Sequence, residues 1–245
     1  MLQKAVNTIR NAKRITVFTG AGISVESGIP PFRGDDGLWA KYDPIILDLD
    51  FYKNHTEQSW PVIKELFYDF FGKAAPNLAH QILAKWENQG IVTEIITQNI
   101  DNLHQEAGSN KVFEFHGTAQ SFICTKCSTI YKVSELVLQE NAPYCQNIKC
   151  KALLKPNFIF FGEGIPSEAY NASLNAAQKS DVFIVIGTTG EIMPASQIPV
   201  IAHQNGAKII EINTQISQYT NKYTHIFLQG KATEVLNSLD MEMNN

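Results

Sequence analysis

The sequence predicts an α/β fold in which a doubly wound parallel sheet carries a smaller lobe. Short β-rich apolar runs recur along the chain, helical periodicity fills many gaps between them, and two stretches interrupt the alternation. Several runs are apolar at consecutive positions, as expected of parallel strands buried on both faces. Alternating strands and helices favour a Rossmann-like sheet. The predicted strands are Ile15–Phe18, Val92–Ile96, Val112–Phe115, Phe158–Phe161, Val182–Ile186, Lys208–Ile212 and His225–Leu228.

Helices and insertions separate these strands. The apolar positions that predict helices are Leu78, Ile82, Leu83 and Trp86 in one case and Ala195 to His203 in another. Residues 33–76 are rich in aromatic side chains, and residues 119–155 contain all the cysteines. We interpret these two stretches as insertions that form the smaller lobe, one helical and one metal-binding. The larger lobe of the single domain then comprises residues 1–32, 77–118 and 156–245.

Length and charge limit the classes of partner. The chain has 245 residues, of which 44% are hydrophobic, enough for one domain with an insertion and a sizeable core. Its net charge is −4 and it has no run of lysine or arginine, which disfavours nucleic acid and anionic membranes as partners. It has no hydrophobic signal region and no apolar run of membrane-spanning length. We expect a cytoplasmic protein, with the oligomeric state left open and a monomer included.

A glycine-rich turn follows the first predicted strand. The segment Thr19-Gly20-Ala21-Gly22-Ile23-Ser24 puts two glycines between this strand and a predicted helix start, where backbone N–H groups can cradle a phosphate. The next glycine is Gly28, so the third glycine of the usual dinucleotide fingerprint is missing. No acidic residue ends a second strand about 20 residues further on. An ordinary tight turn is therefore the alternative.

The loop after this turn runs from Ser27 to Gly34 and contains two prolines and two glycines. It is suited to fold over a bound cofactor, with Arg33 on a phosphate and Phe32 shielding a reactive carbon from water. The alternative is a surface loop held by Pro30 and Pro31.

Polar residues end two further strands. Gln98, Asn99 and Asp101 follow the second apolar run, and His116 follows the third. Catalytic groups collect where the strands of an α/β sheet end, so these residues predict an active site. An imidazole has an ordinary pKa near 6.5 and accepts a proton at neutral pH, which makes His116 the candidate general base. A structural or surface histidine is the alternative reading of His116.

The cysteines form two pairs. Cys124 and Cys127 are followed by Cys145 and Cys150, which supplies four thiolates for a closed tetrahedral zinc site. Such a site has no open position for water, so we expect the zinc to be structural. A redox pair is disfavoured because neither pair follows a thioredoxin-like strand. A zinc-ribbon reader of nucleic acid would need more basic neighbours.

Several motifs, taken in order, resemble those of the sirtuins, the NAD-dependent protein lysine deacylases. The segments that carry the resemblance are Gly20–Gly34, Thr97–Gly108, His116-Gly117, Pro156–Glu163, Gly187-Thr188-Thr189 and Ile212-Asn213, which together span nearly the whole chain. Thr189 is a departure, since the family usually has serine there, but both residues present a hydroxyl. The resemblance implies that NAD is the co-substrate and that acyl-lysine proteins or peptides are the substrates.

The resemblance also implies residue roles. Asn99 and Asp101 would position the ribose and the nicotinamide, and His116 would take a proton from a ribose hydroxyl. The acyl group would pass from lysine to ADP-ribose, with release of nicotinamide. The residues implied to bind the cofactor are Gly20, Ala21, Gly22, Ser24, Ile29, Phe32, Arg33, Gln98, Asn99, Ile100, Asp101, Gly187, Thr188, Thr189, Asn213, Lys231 and Ala232. His104 would support the loop structurally.

The substrate would bind between the lobes as an extended strand, flanked by Phe161-Gly162-Glu163 and Gly190. Sirtuins that favour succinyl or malonyl groups carry a Tyr-x-x-Arg pair in the helical insertion, where this chain has Trp60 and Ile63, with no arginine. We therefore predict deacetylation, or removal of longer apolar acyl groups, over desuccinylation. Core packing is the alternative role of these two residues. ADP-ribosyl transfer in the same pocket is the alternative activity.

Overall fold

The computed structural model describes residues 1–32 and 37–244, which form a parallel sheet, a small antiparallel sheet and the helices around them. The helices are α1 (Leu2–Arg10), α2 (Leu49–Asn54), α3 (Thr56–Lys64), α4 (Leu78–Asn88), α5 (Leu103–Glu106), α6 (Ser167–Lys179), α7 (Gln197–Gln204) and α8 (Ala232–Met243). The strands are β1 (Ile15–Thr19), β2 (Glu94–Thr97), β3 (Val112–Glu114), β4 (Gly117–Cys124), β5 (Ile130–Lys132), β6 (Leu154–Phe158), β7 (Val182–Ile186), β8 (Lys208–Asn213) and β9 (Ile226–Gln229).

The parallel sheet has the order β3-β2-β1-β7-β8-β9. The chain builds outward from β1 in one direction and from β7 in the other, so the topology switches between these two neighbouring strands. Every residue of β1 and of β7 is buried, as their consecutive apolar residues predict. Ligands of open α/β sheets bind beyond the carboxyl ends of the strands at such a switch point. The fold class is confirmed, and the general rule directs the search for a ligand site to the ends of β1 and β7.

Separate apolar clusters cover the two faces of the parallel sheet. Val17 packs with α1, α4 and α8 on one face, and its neighbour Phe18 packs with α6 and α7 on the other. This alternation follows from the period of two in a strand. The predicted apolar face of α4 is buried at Ile82, Leu83 and Trp86, but Leu78, the first residue of the helix, is 42% exposed.

The predicted parallel strand Phe158–Phe161 is wrong. The strand is β6, it ends at Phe158, and it pairs antiparallel with β4 in the small sheet of order β5-β4-β6. A run of apolar residues predicts burial but does not determine which sheet the strand joins. Phe158 and Phe160 are indeed buried, in the core of the smaller lobe. The lobe boundary drawn at residue 156 therefore falls inside β6, and the division into lobes stays a prediction.

His116 lies where the chain passes from the parallel sheet to the small one. β3 ends at Glu114, and β4 begins at Gly117. The His116 carbonyl accepts a hydrogen bond from the N–H of Ile159 at 2.8 Å, just beyond β6. Gly117 has a φ of 74°, and a Cβ there would collide with the carbonyl of Asn157, so this crossing requires glycine. In the described ranges, no helix is long and apolar enough to cross a membrane.

Candidate active site and metal centre

Two glycine loops touch at the switch point. The Gly20 N–H donates to the carbonyl of Ile186 at 3.0 Å, and the Gly22 N–H donates to that of Gly187 at 2.9 Å. A Cβ on Gly22 would lie 2.6 Å from the Gly187 Cα, so both positions exclude side chains. The predicted helix start is shorter than expected, because two 3₁₀ turns, Ala21–Ile23 and Val25–Ser27, follow the glycines. The space that glycine keeps open lets a ligand approach the backbone closely.

A buried amide and a carboxylate share one hydroxyl beside this loop. The Asn99 Nδ2 donates to the Ser24 Oγ at 3.1 Å and to the Gly20 carbonyl at 3.2 Å. The Ser24 Oγ in turn donates to the Asp101 Oδ2 at 2.7 Å, and the Leu103 N–H donates to the other carboxylate oxygen at 3.1 Å. Among the described residues, no lysine or arginine forms an ion pair with Asp101. Burial therefore raises the pKa of Asp101, against the lowering effect of these hydrogen bonds.

His116 is fixed by the backbone of the same polar segment. Its Nδ1 lies 3.0 Å from the carbonyl oxygen of Gln98. A carbonyl only accepts, so Nδ1 carries the proton of the neutral ring and Nε2 keeps a free lone pair. Burial lowers the pKa of His116, partly offset by this hydrogen bond, so the ring is neutral at neutral pH. The geometry leaves Nε2 able to accept a proton.

The loop after β7 is tied to the segment that follows β2 and to the end of β8. The Gln98 Nε2 donates to the Thr188 Oγ1 at 3.1 Å, and the Asn213 Nδ2 donates to the Thr188 carbonyl at 3.0 Å. Thr189 is exposed, and its carbonyl accepts from the Gln218 N–H. Lys231 is the N-cap of α8, with Ala232 buried behind it. The predicted cofactor residues of β2, β7 and β8 are therefore brought together.

The predicted covering loop is described only in part. Ile29 is buried, and the ring of Phe32 lies 5.4 Å from that of Trp39 and 6.5 Å from that of Phe67. Arg33 lies outside the described residues. Ile100 packs against the small-lobe core, and its carbonyl accepts from the Ala119 N–H.

Two threonines hold the polar segment by hydrogen bonds. Neither was among the residues predicted for the site. The Thr19 Oγ1 donates to the Thr97 Oγ1 at 2.9 Å, and the Thr97 Oγ1 accepts from the Asn99 N–H at 3.0 Å. The Nε2 of His104 lies 2.9 Å from the Thr19 Oγ1, which fits the supporting role expected of that histidine. The available signal was that both threonines are the last residues of their strands.

In the turn predicted to bind the substrate, the backbone of Phe161 is already hydrogen-bonded to another segment of the protein. The Phe161 N–H donates to the Leu47 carbonyl at 2.7 Å, and the Phe161 carbonyl accepts from the Leu49 N–H at 3.1 Å. The backbone groups of Phe161 that were expected to pair with a substrate are therefore occupied, and its ring, 47% exposed, is what remains accessible. Gly162 is exposed with a φ of 90°, and Gly190 lies against the ring of Tyr219.

Trp60 and Ile63 lie in the core of the smaller lobe. Trp60 is 1% exposed, and its Nε1 donates to the Gln139 carbonyl at 3.0 Å, while Ile63 is completely buried. This is the core-packing role that the sequence left open. Contact of either residue with an acyl group stays an untested expectation.

The four cysteines converge as predicted. Their Sγ atoms all lie within 4.8 Å of one another, with Cys124 to Cys150 at 3.6 Å and Cys127 to Cys145 at 3.7 Å. Sulfur atoms bound tetrahedrally to one zinc at about 2.3 Å lie about 3.8 Å apart, so this donor set fits zinc. Four thiolates leave no position for water, which fits a structural ion.

Comparison with known proteins agrees with this geometry. The model of the Sir2 family matches residues 20–194. A protein of Pyrobaculum aerophilum called NAD-dependent protein deacylase 2 is 41% identical over 239 residues, covering 96% of this chain and 93% of the relative. A Thermotoga maritima NAD-dependent protein deacetylase is 38% identical over 217 residues, 87% of each chain.

Solved structures show the same architecture. A complex of Sir2 with a p53 peptide and NAD⁺ aligns with a TM-score of 0.91 and 31% identity, covering 100% of this chain and 99% of the other. A complex of a mutant Sir2 homologue with ADP ribose aligns with a TM-score of 0.94 and 36% identity, covering 100% and 97%. With the family model, the relatives and the fold in agreement, this chain belongs to the Sir2 family.

Proposed function

We propose that this chain is an NAD-dependent protein lysine deacetylase, which transfers the acyl group from lysine to ADP-ribose and releases nicotinamide. The observation that carries the proposal is the placement of His116. Its Nδ1 is held by the carbonyl of Gln98, the chain neighbour of Asn99, and Asn99 in turn is joined through Ser24 to Asp101. The names of the curated relatives, protein deacetylase and protein deacylase, support the same reaction class.

The residues at the switch point fit NAD. Gly20, Gly22 and Gly187 leave the backbone open where side chains would otherwise fill the space, which suits a pyrophosphate. Asn213 at the end of β8 supplies an amide on the far side of this gap, in place of the acidic residue of the usual fingerprint. When bound, NAD supplies a ribose carbon that nicotinamide leaves.

Three side chains act on the ribose and the nicotinamide, two from the polar segment after β2 and His116 from beyond β3. Asn99 offers an amide to the ribose or the carboxamide, and Asp101 offers a carboxylate whose burial strengthens its interaction with developing positive charge on the sugar. His116 takes the proton of a ribose hydroxyl at Nε2 once that hydroxyl is within hydrogen-bonding reach. The neutral state of the ring at physiological pH is the one that this step requires.

The expected acyl preference rests on positions 60 and 63, where sirtuins that favour succinyl groups carry a Tyr-x-x-Arg pair. Trp60 and Ile63 carry no positive charge, so neither can pair with an acyl carboxylate. Phe161 is 47% exposed and its ring centre lies 6.4 Å from that of Trp39, an aromatic pair that suits an apolar chain instead. We therefore expect acetyl or longer apolar acyl groups to be removed faster than succinyl groups.

The test is a nicotinamide-release assay with and without a panel of acyl-lysine peptides. We expect NAD consumption to require the peptide, with one nicotinamide released per acyl group removed, and acetyl-lysine to be cleaved faster than succinyl-lysine. NAD consumption that does not depend on an acyl peptide would favour ADP-ribosyl transfer or hydrolysis. Comparable rates on matched succinyl and acetyl peptides would contradict the acyl preference alone.

A further inference from the structure

A buried lysine lies directly behind the predicted substrate turn. Lys155, the second residue of β6, is only 5% exposed. Its Nζ donates to the carbonyls of Pro156 at 2.7 Å and Phe158 at 2.6 Å and lies 2.9 Å from the Glu163 Oε2. An ammonium group has three protons, and here each has an acceptor. Such complete pairing is what a buried charge requires.

The partner carboxylate holds the turn itself. The Glu163 Oε2 also accepts a hydrogen bond from the Phe160 N–H at 2.7 Å, and the Glu163 N–H donates to the Phe160 carbonyl at 3.0 Å. Gly162, with a φ of 90°, is the third residue of this four-residue turn, where a type II turn needs a left-handed residue. One carboxylate oxygen therefore joins the Lys155 ammonium to the first N–H of the turn.

The ammonium group also contacts the aromatic side of the turn. Lys155 Nζ lies 4.4 Å from the centre of the Phe160 ring, which is 1% exposed. Burial lowers the pKa of Lys155, and Glu163 opposes that shift. Between Phe160 and Glu163 the turn presents Phe161, whose backbone is fixed by Leu47 and Leu49 and whose ring faces outward.

We propose that Lys155 is a positioning residue for substrate binding, which holds the Phe160–Glu163 turn through Glu163 and so fixes the face that the acyl-lysine peptide contacts. The inference rests on the proposed function only in taking this turn as the peptide-binding face. Lys155 is at the opposite side of the turn from that face and is buried, so it acts without touching the peptide. Within the described residues, its hydrogen bonds and ion pair involve no residue predicted to bind NAD, so its effect should be confined to the peptide.

The test uses Lys155→Met, Glu163→Gln and the double variant, with Lys179→Met, which replaces an exposed lysine at the end of α6, as the matched control. Binding of a fluorescent acetyl-lysine peptide is measured without NAD, and KM for the peptide and for NAD are measured separately. We expect Lys155→Met to weaken peptide binding and raise the peptide KM about ten- to a hundredfold, because small misplacements of binding groups cost this much. The KM for NAD should stay within about twofold.

The double variant separates coupling from general damage. Since both side chains act through one bond, we expect it to be no worse than Lys155→Met alone. Equal changes in both KM values, or unchanged peptide binding in a folded Lys155→Met protein, would overturn the inference. If Lys155→Met does not fold, unchanged peptide binding in Glu163→Gln, which keeps the side-chain shape and removes the charge, would overturn the inference.

The two proposals fail in different ways. A wild-type chain that binds the acetyl-lysine peptide but consumes no NAD would contradict the proposed function and leave the positioning role open to confirmation by the binding assay. A wild-type chain that deacetylates normally, with Lys155→Met unchanged in peptide affinity, would contradict the positioning role alone. A wild-type chain that binds no acyl-lysine peptide would contradict both.

Discussion

The two ends of the parallel sheet differ in how a carboxylate is paired. At the amino-terminal end, Glu94 is 1% exposed and is bonded by Arg14 at 2.8 Å and by Lys111 at 2.7 Å. At the carboxyl-terminal end, Asp101 is held by a hydroxyl and a backbone N–H, with no cation paired to it in the described ranges. The charge of Glu94 is neutralised by cations of the chain itself, whereas that of Asp101 is not, which suits a site where a ligand binds. Stability and function should therefore separate along the strands.

The largest effect should come from His116→Ala at the carboxyl end. Loss of a positioned general base typically costs about 10²- to 10⁴-fold in rate, so acyl-dependent nicotinamide release should fall by that amount. The melting temperature and circular dichroism spectrum should change little, because only one hydrogen bond to the Gln98 carbonyl is lost. His55→Ala, at an exposed histidine, is the control. Unchanged turnover in His116→Ala would refute the general-base role.

The pH dependence of stability should reveal the histidines beneath the same end. Burial lowers the pKa of His80 to about 4, and burial also lowers that of His104 well below its usual value. A histidine with a depressed folded-state pKa stabilises the fold fully above its unfolded pKa near 6.5 and loses that contribution as pH falls toward the folded value. For His80 alone the loss amounts to about 3 kcal/mol.

We expect chemical denaturation at a series of pH values between 6.5 and 4 to show this loss in the wild-type chain. His80→Gln should flatten the slope, since its side-chain oxygen can still accept the hydrogen bond from the Asn77 N–H but does not titrate. An equal slope in both proteins would exclude His80 as its source.

Asp101→Asn should reduce activity without reducing stability. The carboxylate is the partly buried charge that we assign to the ribose, so its loss should lower kcat/KM about a hundredfold. Its pKa is raised by burial, which means that the ionised form costs stability at neutral pH, and the neutral amide relieves that cost. Denaturant unfolding should therefore show equal or greater stability, and a marked loss would show that Asp101 is structural.

Glu94→Gln is the matched substitution at the other end and should give the smallest and opposite effect. It should lower the free energy of unfolding by about 1–2 kcal/mol, a modest loss because Arg14 and Lys111 are partly exposed and water can solvate them. The nicotinamide-release rate should remain that of the wild type. A fall in rate as large as in Asp101→Asn would break the proposed separation between the two ends.

The features that the sequence could predict are those that a local pattern or the strand order determines. Val182–Ile186 was assigned correctly because five consecutive apolar residues leave few alternatives to a central parallel strand. The site residues Asn99, His116 and Asn213 follow or end such strands, so their convergence follows from topology. The convergence of the cysteines was predictable because a single zinc site requires four thiolates close together; the four are Cys124, Cys127, Cys145 and Cys150.

Other features depend on contacts between distant segments. Phe158–Phe161 has the composition of a strand in the parallel sheet, but only the pairing of β6 with β4 determines where it lies. The backbone of Phe161 is occupied by Leu47 and Leu49, residues that no local pattern connects to it. For Trp60 the sequence leaves acyl contact and core packing both open, and its burial depends on Phe122 and Tyr68, which pack around it.

The glycine after His116 bears on how this architecture tolerates change. Because Gly117 packs against the Asn157 carbonyl, the start of β4 and the end of β6 are held close together beside His116. Residues 125–153, with three of the four cysteines, connect the far ends of these two strands. We therefore expect a laboratory chimera that replaces this connection to keep the imidazole of His116 in position. Gly117 must be kept in such a chimera, since a side chain there would push β4 away from β6.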